Sequence, residues 1–193
     1  MKARLLFVAM AALMSTAGAA EKSDLSYCTV CHGAHGNGNP AIHAPKIAGM
    51  EPWYIRRQLE SFRDGARGTH PDDAAGHEMQ PVGVRLRDAA GIDEAISYVA
   101  TFEPKAPPVT IEGDATRGRS LYVTCQTCHG AKGEGNQPLG APALAARTDW
   151  YLVTQLQNFK SGVRENAQMR AIAATLPDQQ SIDDVVAYIN TLR

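Results

Sequence analysis

Apolar residues along this chain recur at helical spacing. Trp53, Leu59 and Phe62 fall on one face of a helix, and Trp150, Leu152, Val153, Leu156 and Phe159 repeat that face later in the chain. Gly65 and Gly162 follow the two stretches as C-terminal stops. A closing helix is predicted from Ile92, Ala95, Ile96 and Val99, and again from Ile182, Val185, Val186 and Ile189, with Asp88 and Ser181 near the N-termini. No alternating run of strand length competes, so the chain is expected to be all-α.

One apolar run stands apart. Lys2 and Arg4 precede Leu5 to Met14, and Ala17-Gly18-Ala19-Ala20 supplies the small residues of a signal-peptidase site. Residues 1–20 are therefore read as a signal peptide, cleaved after Ala19 or Ala20. A membrane-spanning helix needs ~20 continuous apolar residues, more than this run offers.

The remainder is an internal repeat. At an offset of 97, Cys28, Cys31, His32, Gly33, Gly36, Gly38 and Asn39 match Cys125, Cys128, His129, Gly130, Gly133, Gly135 and Asn136. Ala44, Pro45, Trp53, Tyr54, Gln58, Leu59, Phe62 and Gly65 match Ala141, Pro142, Trp150, Tyr151, Gln155, Leu156, Phe159 and Gly162 in the same register. The offset then falls to 90, aligning Met79, Leu86, Asp88 and Tyr98 with Met169, Leu176, Asp178 and Tyr188. The first copy thus carries extra residues, placed in Gly68 to Gly76, whose Gly, Pro and Asp content predicts a surface loop. Two units follow, residues 21–103 and 114–193, joined by a Pro-rich, semi-rigid linker over residues 104–113.

Composition narrows the class. With 19 Lys and Arg against 20 Asp and Glu and no dense basic run, the chain does not read as a nucleic-acid binder. A 44% hydrophobic content argues against low-complexity disorder. Charge is uneven: residues 21–103 hold 8 basic and 12 acidic side chains, whereas residues 114–193 hold 8 and 7. Such a dipole can orient a protein differently towards partners at its two ends.

All four cysteines lie in Cys28-Thr29-Val30-Cys31-His32 and Cys125-Gln126-Thr127-Cys128-His129, two copies of C-x-x-C-H. This is the signature of c-type haem attachment. Two thiols three positions apart can each add to a vinyl group, and the next residue, His32 or His129, offers its imidazole to the iron. A redox disulfide or half a zinc site is the competing reading. The first needs a βαβ context, and the second does not explain why His follows the second Cys twice. Two covalently bound haem c groups are therefore expected, and covalent haem attachment outside the bacterial inner membrane agrees with export to the periplasm.

The sixth ligand follows by elimination. Beyond the leader the methionines are Met50, Met79 and Met169, and the second unit has no His other than His129. Met169 is the candidate there and Met79 is its repeat partner, while Met50 has no counterpart and is read as packing. In the first unit His35, His43, His70 and His77 are also present, and bis-His ligation through His77 stays open. A thioether opposite imidazole suits an electron carrier and fills both axial positions, so electron transfer is favoured over catalysis. Pro45 and Pro142, each thirteen residues after the proximal His, can accept from the other imidazole nitrogen. Trp53, Tyr54, Trp150 and Tyr151 are candidates to pack on the porphyrin and reach a propionate. The Gly-rich runs read as close backbone approach to haem rather than as phosphate loops.

With two C-x-x-C-H units, a downstream proline, a late Met and a closing helix, the chain resembles dihaem class I cytochromes c, in particular the two-domain c-four type. That resemblance implies two tandem cytochrome c-like domains related by a pseudo-twofold axis, with haem propionate edges facing each other. It also implies a periplasmic electron carrier, loosely attached to the membrane, passing electrons from a quinol-oxidising complex or dehydrogenase to a terminal oxidase or reductase. A haem subunit of a sulfur-compound dehydrogenase and a small dihaem peroxidase are the alternatives. One departure stands out. Asp114 to Tyr122 precede Cys125, but only Glu21 to Tyr27 precede Cys28, so the first unit's opening helix is expected to be short or missing. The consequence would be an exposed haem edge or a docking surface.

Overall fold

The computed structural model describes residues 24–192. The leader and its cleavage site lie outside the described residues. The first unit contains α1 (Tyr27–His32), α2 (Pro52–Arg63), α3 (Ala74–Arg85) and α4 (Ala89–Val99). The second contains α5 (Ala115–His129), α6 (Asp149–Ser161), α7 (Ala167–Ala173) and α8 (Gln179–Ile189). Among the described residues β-structure is confined to two isolated bridges, Asn39 with Ala44 and Asn136 with Ala141.

Capping explains most boundaries. Pro52 opens α2 at its first position, where a missing N–H costs nothing. Asp73, Asp88, Asp114, Asn166 and Asp178 each accept a backbone N–H from the first turn of the following helix. One expectation needs adjusting, at the start of α3, and one is refined at α8. Ser181 lies in the first turn of α8 as expected, and the cap itself is Asp178, to which Ser181 donates through Oγ at 2.6 Å. Residues 74–76 were expected in a surface loop but form the first turn of α3, because Asp73 is buried and accepts from Gly76 N at 3.0 Å. The extra length of the first unit is thus partly helical, with α3 at 12 residues and α7 at 7. His77 and Met79 accordingly lie on a helix.

Each unit buries its own core. In the first, Leu25, Ile55, Leu59, Leu86, Ile92, Ala95 and Val99 pack together, and in the second Tyr122, Val153, Leu176, Ile182, Val185, Val186 and Ile189. Trp53 and Trp150, expected on the buried faces, are only half-buried. The opening helices differ most. At 15 residues against 6, α5 extends about 13 Å further than α1 at 1.5 Å per residue. It crosses α8 at Gly118, whose missing side chain is required: a Cβ there would stand 1.9 Å from the Asp184 carbonyl oxygen.

Residues 103–114 have no regular structure but are tied at both ends. Lys105 N donates to Asn37 Oδ1 at 3.0 Å in the first unit. In the second, the carboxylate of the fully buried Asp149 accepts from Thr110 N at 2.6 Å, Thr110 Oγ1 at 2.7 Å and Ile111 N at 3.1 Å.

The units meet through contacts that obey the repeat. Glu51 Oε1 accepts from Ala143 N at 2.7 Å, and its repeat partner Thr148 accepts through Oγ1 from Lys46 N at 3.2 Å. Both are the residues that lead into α2 and α6. Arg67 Nη2 donates to Tyr151 OH at 2.9 Å and Gln155 Oε1 at 3.2 Å, while Arg164 Nη2 donates to Tyr54 OH at 3.1 Å and Gln58 Oε1 at 2.8 Å. Each arginine also binds its own unit's glutamine, Arg67 to Gln58 at 2.8 Å and Arg164 to Gln155 at 2.5 Å. A reciprocal exchange of this kind is what a pseudo-twofold axis between two copies requires.

Candidate functional site

Both C-x-x-C-H motifs occupy the last turn of a helix, α1 or α5, with the His as its final residue. The chain then reverses through a glycine loop held by the same bonds in both units. Gly38 N donates to His32 O and Gly135 N to His129 O, both at 2.8 Å. The Gly36 carbonyl accepts from Ile47 N and Ala48 N, and the Gly133 carbonyl from Leu144 N and Ala145 N. The glycines serve the chain's own close approach: a Cβ on Gly38 would lie 2.8 Å from Lys46 N, and one on Gly135 would lie 2.5 Å from Ala143 N. That folding brings the proline segment back over the histidine.

The result is a fixed imidazole. Nδ1 of His32 donates to the Pro45 carbonyl at 2.7 Å, and Nδ1 of His129 donates to the Pro142 carbonyl at 2.7 Å. With Nδ1 committed, Nε2 is the nitrogen left to bind iron. Both rings are buried at 6% exposure. Burial lowers the pKa of each below the ordinary imidazole value, although the proline carbonyl pulls the other way. The neutral form, which a metal needs, is thereby favoured.

All four thiols are free, and no group of three or more His, Cys, Asp or Glu that could hold a metal ion occurs among the described residues. Burial pushes the Cys125 thiol up to about 11 and raises Cys28 as well, so a thiolate charge is costly there without a bound cation. Thioethers carry no such charge and suit the apolar setting.

A cavity of about 490 Å³ opens beside the second motif. Cys125, Cys128, His129, Pro142 and Met169 all line it, with Leu121, Leu144, Leu152, Leu156 and Leu176 as apolar wall. Gln168 Nε2 lies 3.7 Å from Cys128 Sγ, so the start of α7 comes directly against the motif. The structure therefore places proximal His, both cysteines and Met169 around one space. In the first unit Met79 and Cys28 pack against the same core. His35, His43 and His77 are exposed, and His70 is half-buried near Asp72.

The aromatic candidates divide. Tyr54 and Tyr151 line the cavity, but Trp53 and Trp150 do not. Trp53 stacks edge-on against Tyr54 at 5.6 Å with the Arg57 guanidinium 5.3 Å above it, and Trp150 meets His43 across the units at 6.1 Å. Met50, read as packing, packs against the first core and also reaches the wall of the second unit's cavity.

Sequence reasoning missed the cationic side of the cavity. Arg57, Arg67, Arg147 and Arg164 line it, and Arg147 is paired with Glu51. Arg67 and Arg164, by contrast, face phenol and amide oxygens. Arg67 Nε is buried without a hydrogen-bond partner. Burial resists ionisation of Tyr54, but Arg164, Arg67 and Arg57 outweigh it and hold the hydroxyl below its ordinary value. An orphaned guanidinium donor beside an excess of positive charge fits a carboxylate, which is what a haem propionate is. The signal was available, since Arg67 and Arg164 stand at the offset of 97.

Helical units that each end a helix in C-x-x-C-H, fix its imidazole on a proline carbonyl and close with a late Met define a tandem class I haem c protein. Known proteins agree. The cytochrome c family model matches residues 21–102 and 115–193. Cytochrome c4 of Thiocapsa roseopersicina is 34% identical over 178 residues, covering 86% of this chain and 86% of that protein. The structure of Acidithiobacillus ferrooxidans cytochrome c4 superposes with a TM-score of 0.71 at 29% identity, covering 86% of this chain and 99% of the other. Thiosulfate dehydrogenase of Marichromatium purpuratum gives a TM-score of 0.69 at 33% identity, over 85% of this chain. The chain spans only 36% of that enzyme. This chain belongs to the cytochrome c family. It is a dihaem electron-transfer cytochrome, with two haem c groups held covalently through Cys28 and Cys31 and through Cys125 and Cys128.

Proposed function

We propose that this protein is a periplasmic carrier that takes electrons from a respiratory donor, a quinol-oxidising complex or a dehydrogenase, and delivers them to a terminal oxidase or reductase. The observation that carries the reading is the second cavity, where His129 and Met169 line one space and could each offer a ligand to a bound iron. When bound, each haem supplies one Fe(III)/Fe(II) couple, so one electron moves per site and no bond forms or breaks. The protein's part is to hold the couple still. Pro45 and Pro142 fix the imidazoles, the methionine sulfur favours ferrous iron, and the arginines offset the charge of the propionates.

Transfer between the two sites runs across the shared wall. Tyr54, Gln58, Arg67, Tyr151, Gln155 and Arg164 form one hydrogen-bonded network that belongs to both units. A rigid network limits the rearrangement that accompanies each change of charge, which is the condition for fast transfer. Removal of residues 1–20 on export and a peripheral association with the membrane belong to the same reading. No helix among the described residues is long and apolar enough to cross a membrane.

The test is spectroscopic. Protein matured in the periplasm should give two c-type haems by pyridine haemochrome and a band near ~695 nm of the strength expected for two Met ligands. Met169→Ala should remove half of that band. A full-strength band in that variant would place the sixth ligand elsewhere.

A second reading has its own support in the likeness to a thiosulfate dehydrogenase. Here the chain is the haem subunit or immediate acceptor of a sulfur-compound dehydrogenase. A stoichiometric complex that survives purification would favour it over the free shuttle.

A further inference from the structure

Each motif histidine is held through one peptide group, and the far side of that group is held by the other unit. In the second unit the Pro142 carbonyl accepts from His129 Nδ1 at 2.7 Å, and the N–H of the same peptide group, on Ala143, donates to Glu51 Oε1 at 2.7 Å. In the first unit the Pro45 carbonyl accepts from His32 Nδ1 at 2.7 Å, and the N–H of that peptide group, on Lys46, donates to Thr148 Oγ1 at 3.2 Å. Glu51 belongs to the first unit and Thr148 to the second, so the two relays cross.

Neither side chain serves its own helix. Glu51 and Thr148 occupy the N-cap positions of α2 and α6, where a side-chain oxygen ordinarily accepts from the first turn, and neither makes such a bond. Both reach across the boundary between the units instead.

The relays end on different charges. Glu51 offers a carboxylate and Thr148 a neutral hydroxyl. The carboxylate is also paired with Arg147, whose Nε donates to the Ala143 carbonyl at 3.2 Å. Met50 stands at the matching position of the first unit, so that relay has no such cation. A hydrogen bond from a peptide N–H pushes electron density onto the carbonyl oxygen of the same group, and an anionic acceptor pushes more than a neutral one. That oxygen then draws harder on Nδ1–H, which makes Nε2 a stronger donor. The charge of Glu51 reaches the ring: burial, the largest influence, disfavours a proton on His129, whereas the Pro142 carbonyl and Glu51 favour one.

We propose that Glu51 and Thr148 are positioning residues that act across the units, each setting through one peptide group how strongly the histidine of the other unit donates to its iron. The carboxylate relay is the stronger of the two. It favours ferric iron at the second site and so holds that potential down against the arginines of the cavity wall. The hydroxyl relay acts in the same sense on the first site, with a smaller effect.

The inference rests on the electron-transfer reading, with His32 and His129 as proximal ligands. The test uses the full protein carrying both haems and nitrogen-15 histidine. Ring Nδ1–H resonances are followed in the ferrous state, and both midpoint potentials by spectroelectrochemistry. Glu51→Gln keeps an acceptor oxygen but loses the charge. It should move the His129 ring proton upfield, leave that of His32 in place, and favour reduction of the second haem about threefold, which is about 28 mV at about 59 mV per decade for one electron. Thr148→Val should move the His32 ring proton and the first potential in the same directions by less, and Thr148→Ser should restore both. A second potential that rises while the His129 ring proton stays put would mean charge acting through space alone, and overturns the proposal. Shifts confined to the unit that carries the substitution overturn it too, as do equal shifts in both units, which mark a loosened interface. If Glu51→Gln does not mature with two haems, the valine and serine variants at Thr148 decide the question by themselves. A starting protein without both haems or without the methionine band would instead refute the electron-transfer reading.

Discussion

The two units share one plan but are braced differently. In the second, two fully buried carboxylates act as latches: Asp149 holds the linker and the start of α6, and Asp184 holds α5 to α8. In the first, Pro52 stands where Asp149 would be and Glu94 where Asp184 would be, and the opening helix is a single short turn and a half. The first unit keeps the parts that bind haem, namely the motif, the glycine loop and the proline carbonyl. What it has lost lies behind the motif, where the second unit spends a long helix on rigidity. Haem binding and scaffold bracing are therefore separable in this architecture, and divergence between the copies has fallen on the bracing.

The largest effect should come from the cofactor itself. Replacing Cys125 and Cys128 together by Ser should drop the haem count from two to one and cost the second unit its helical signal, because a unit of ~80 residues has little core to spare. The same change at Cys28 and Cys31 should leave the second unit folded around its own core. Mass spectrometry and circular dichroism read both outcomes.

A sharper contrast lies in the helix crossing. Gly118→Ala should destabilise the second unit by about 2–4 kcal/mol, since a methyl group cannot share space with the Asp184 carbonyl. Asp184→Ala should cost about 3 kcal/mol by leaving the Asp114 N–H and Arg117 without their acceptor. At the matching position of the first unit Glu94 is half-buried rather than fully buried, so Glu94→Ala should cost less than Asp184→Ala. Guanidinium unfolding followed at the Soret band checks all three, and equal costs at Asp184 and Glu94 would remove the distinction between the units.

Acid should separate the units as well. Burial works against ionisation at Asp149, but hydrogen bonds from Thr110, Ile111 and Trp150 outweigh it and hold the carboxyl below its ordinary range. Burial is likewise the largest influence at Asp184, overcome by Arg117, Gln180 and the Asp114 N–H. A carboxyl whose folded pKa is depressed stabilises the fold fully above its unfolded value of about 4, and that contribution drains away as pH falls through the folded value. The second unit should therefore lose its advantage below about pH 4. Asp149→Asn should flatten that acid limb in a pH titration of the unfolding midpoint.

The smallest effect concerns the two potentials. The second site has four arginines in its wall, whereas the first sits in a unit with an excess of acidic side chains. Positive charge favours ferrous iron, so the second haem should have the higher potential. Arg164→Gln should lower it by tens of millivolts in spectroelectrochemistry. Arg67→Gln should do likewise, since both arginines line that cavity and bridge the units.

Much of this was legible in the residues. The repeat, the C-x-x-C-H motifs, the two prolines and the pairing of Met79 with Met169 all follow from matched positions in the two copies, the prolines at one fixed distance from the histidines and the methionines at one fixed distance ahead of the closing helix. Other contacts were not constrained by spacing. Trp53 and Trp150 were singled out from chemistry alone, and the fold sets Trp53 beneath the Arg57 guanidinium and Trp150 against His43. Arg67 and Arg164 were visible as a repeated pair, but their role needs Tyr and Gln partners 84 to 110 residues away.

By itself, then, the sequence determined the helical class, the two units, the covalent chemistry and the proximal ligands, since all of these rest on contacts between residues close along the chain. Only the tertiary structure decided that Met169 shares a cavity with His129, that the units exchange arginines across a common wall, and that a buried carboxylate, Asp184, ties α5 to α8. Those facts depend on surfaces assembled from distant segments, where the packing of one element determines what the next can touch.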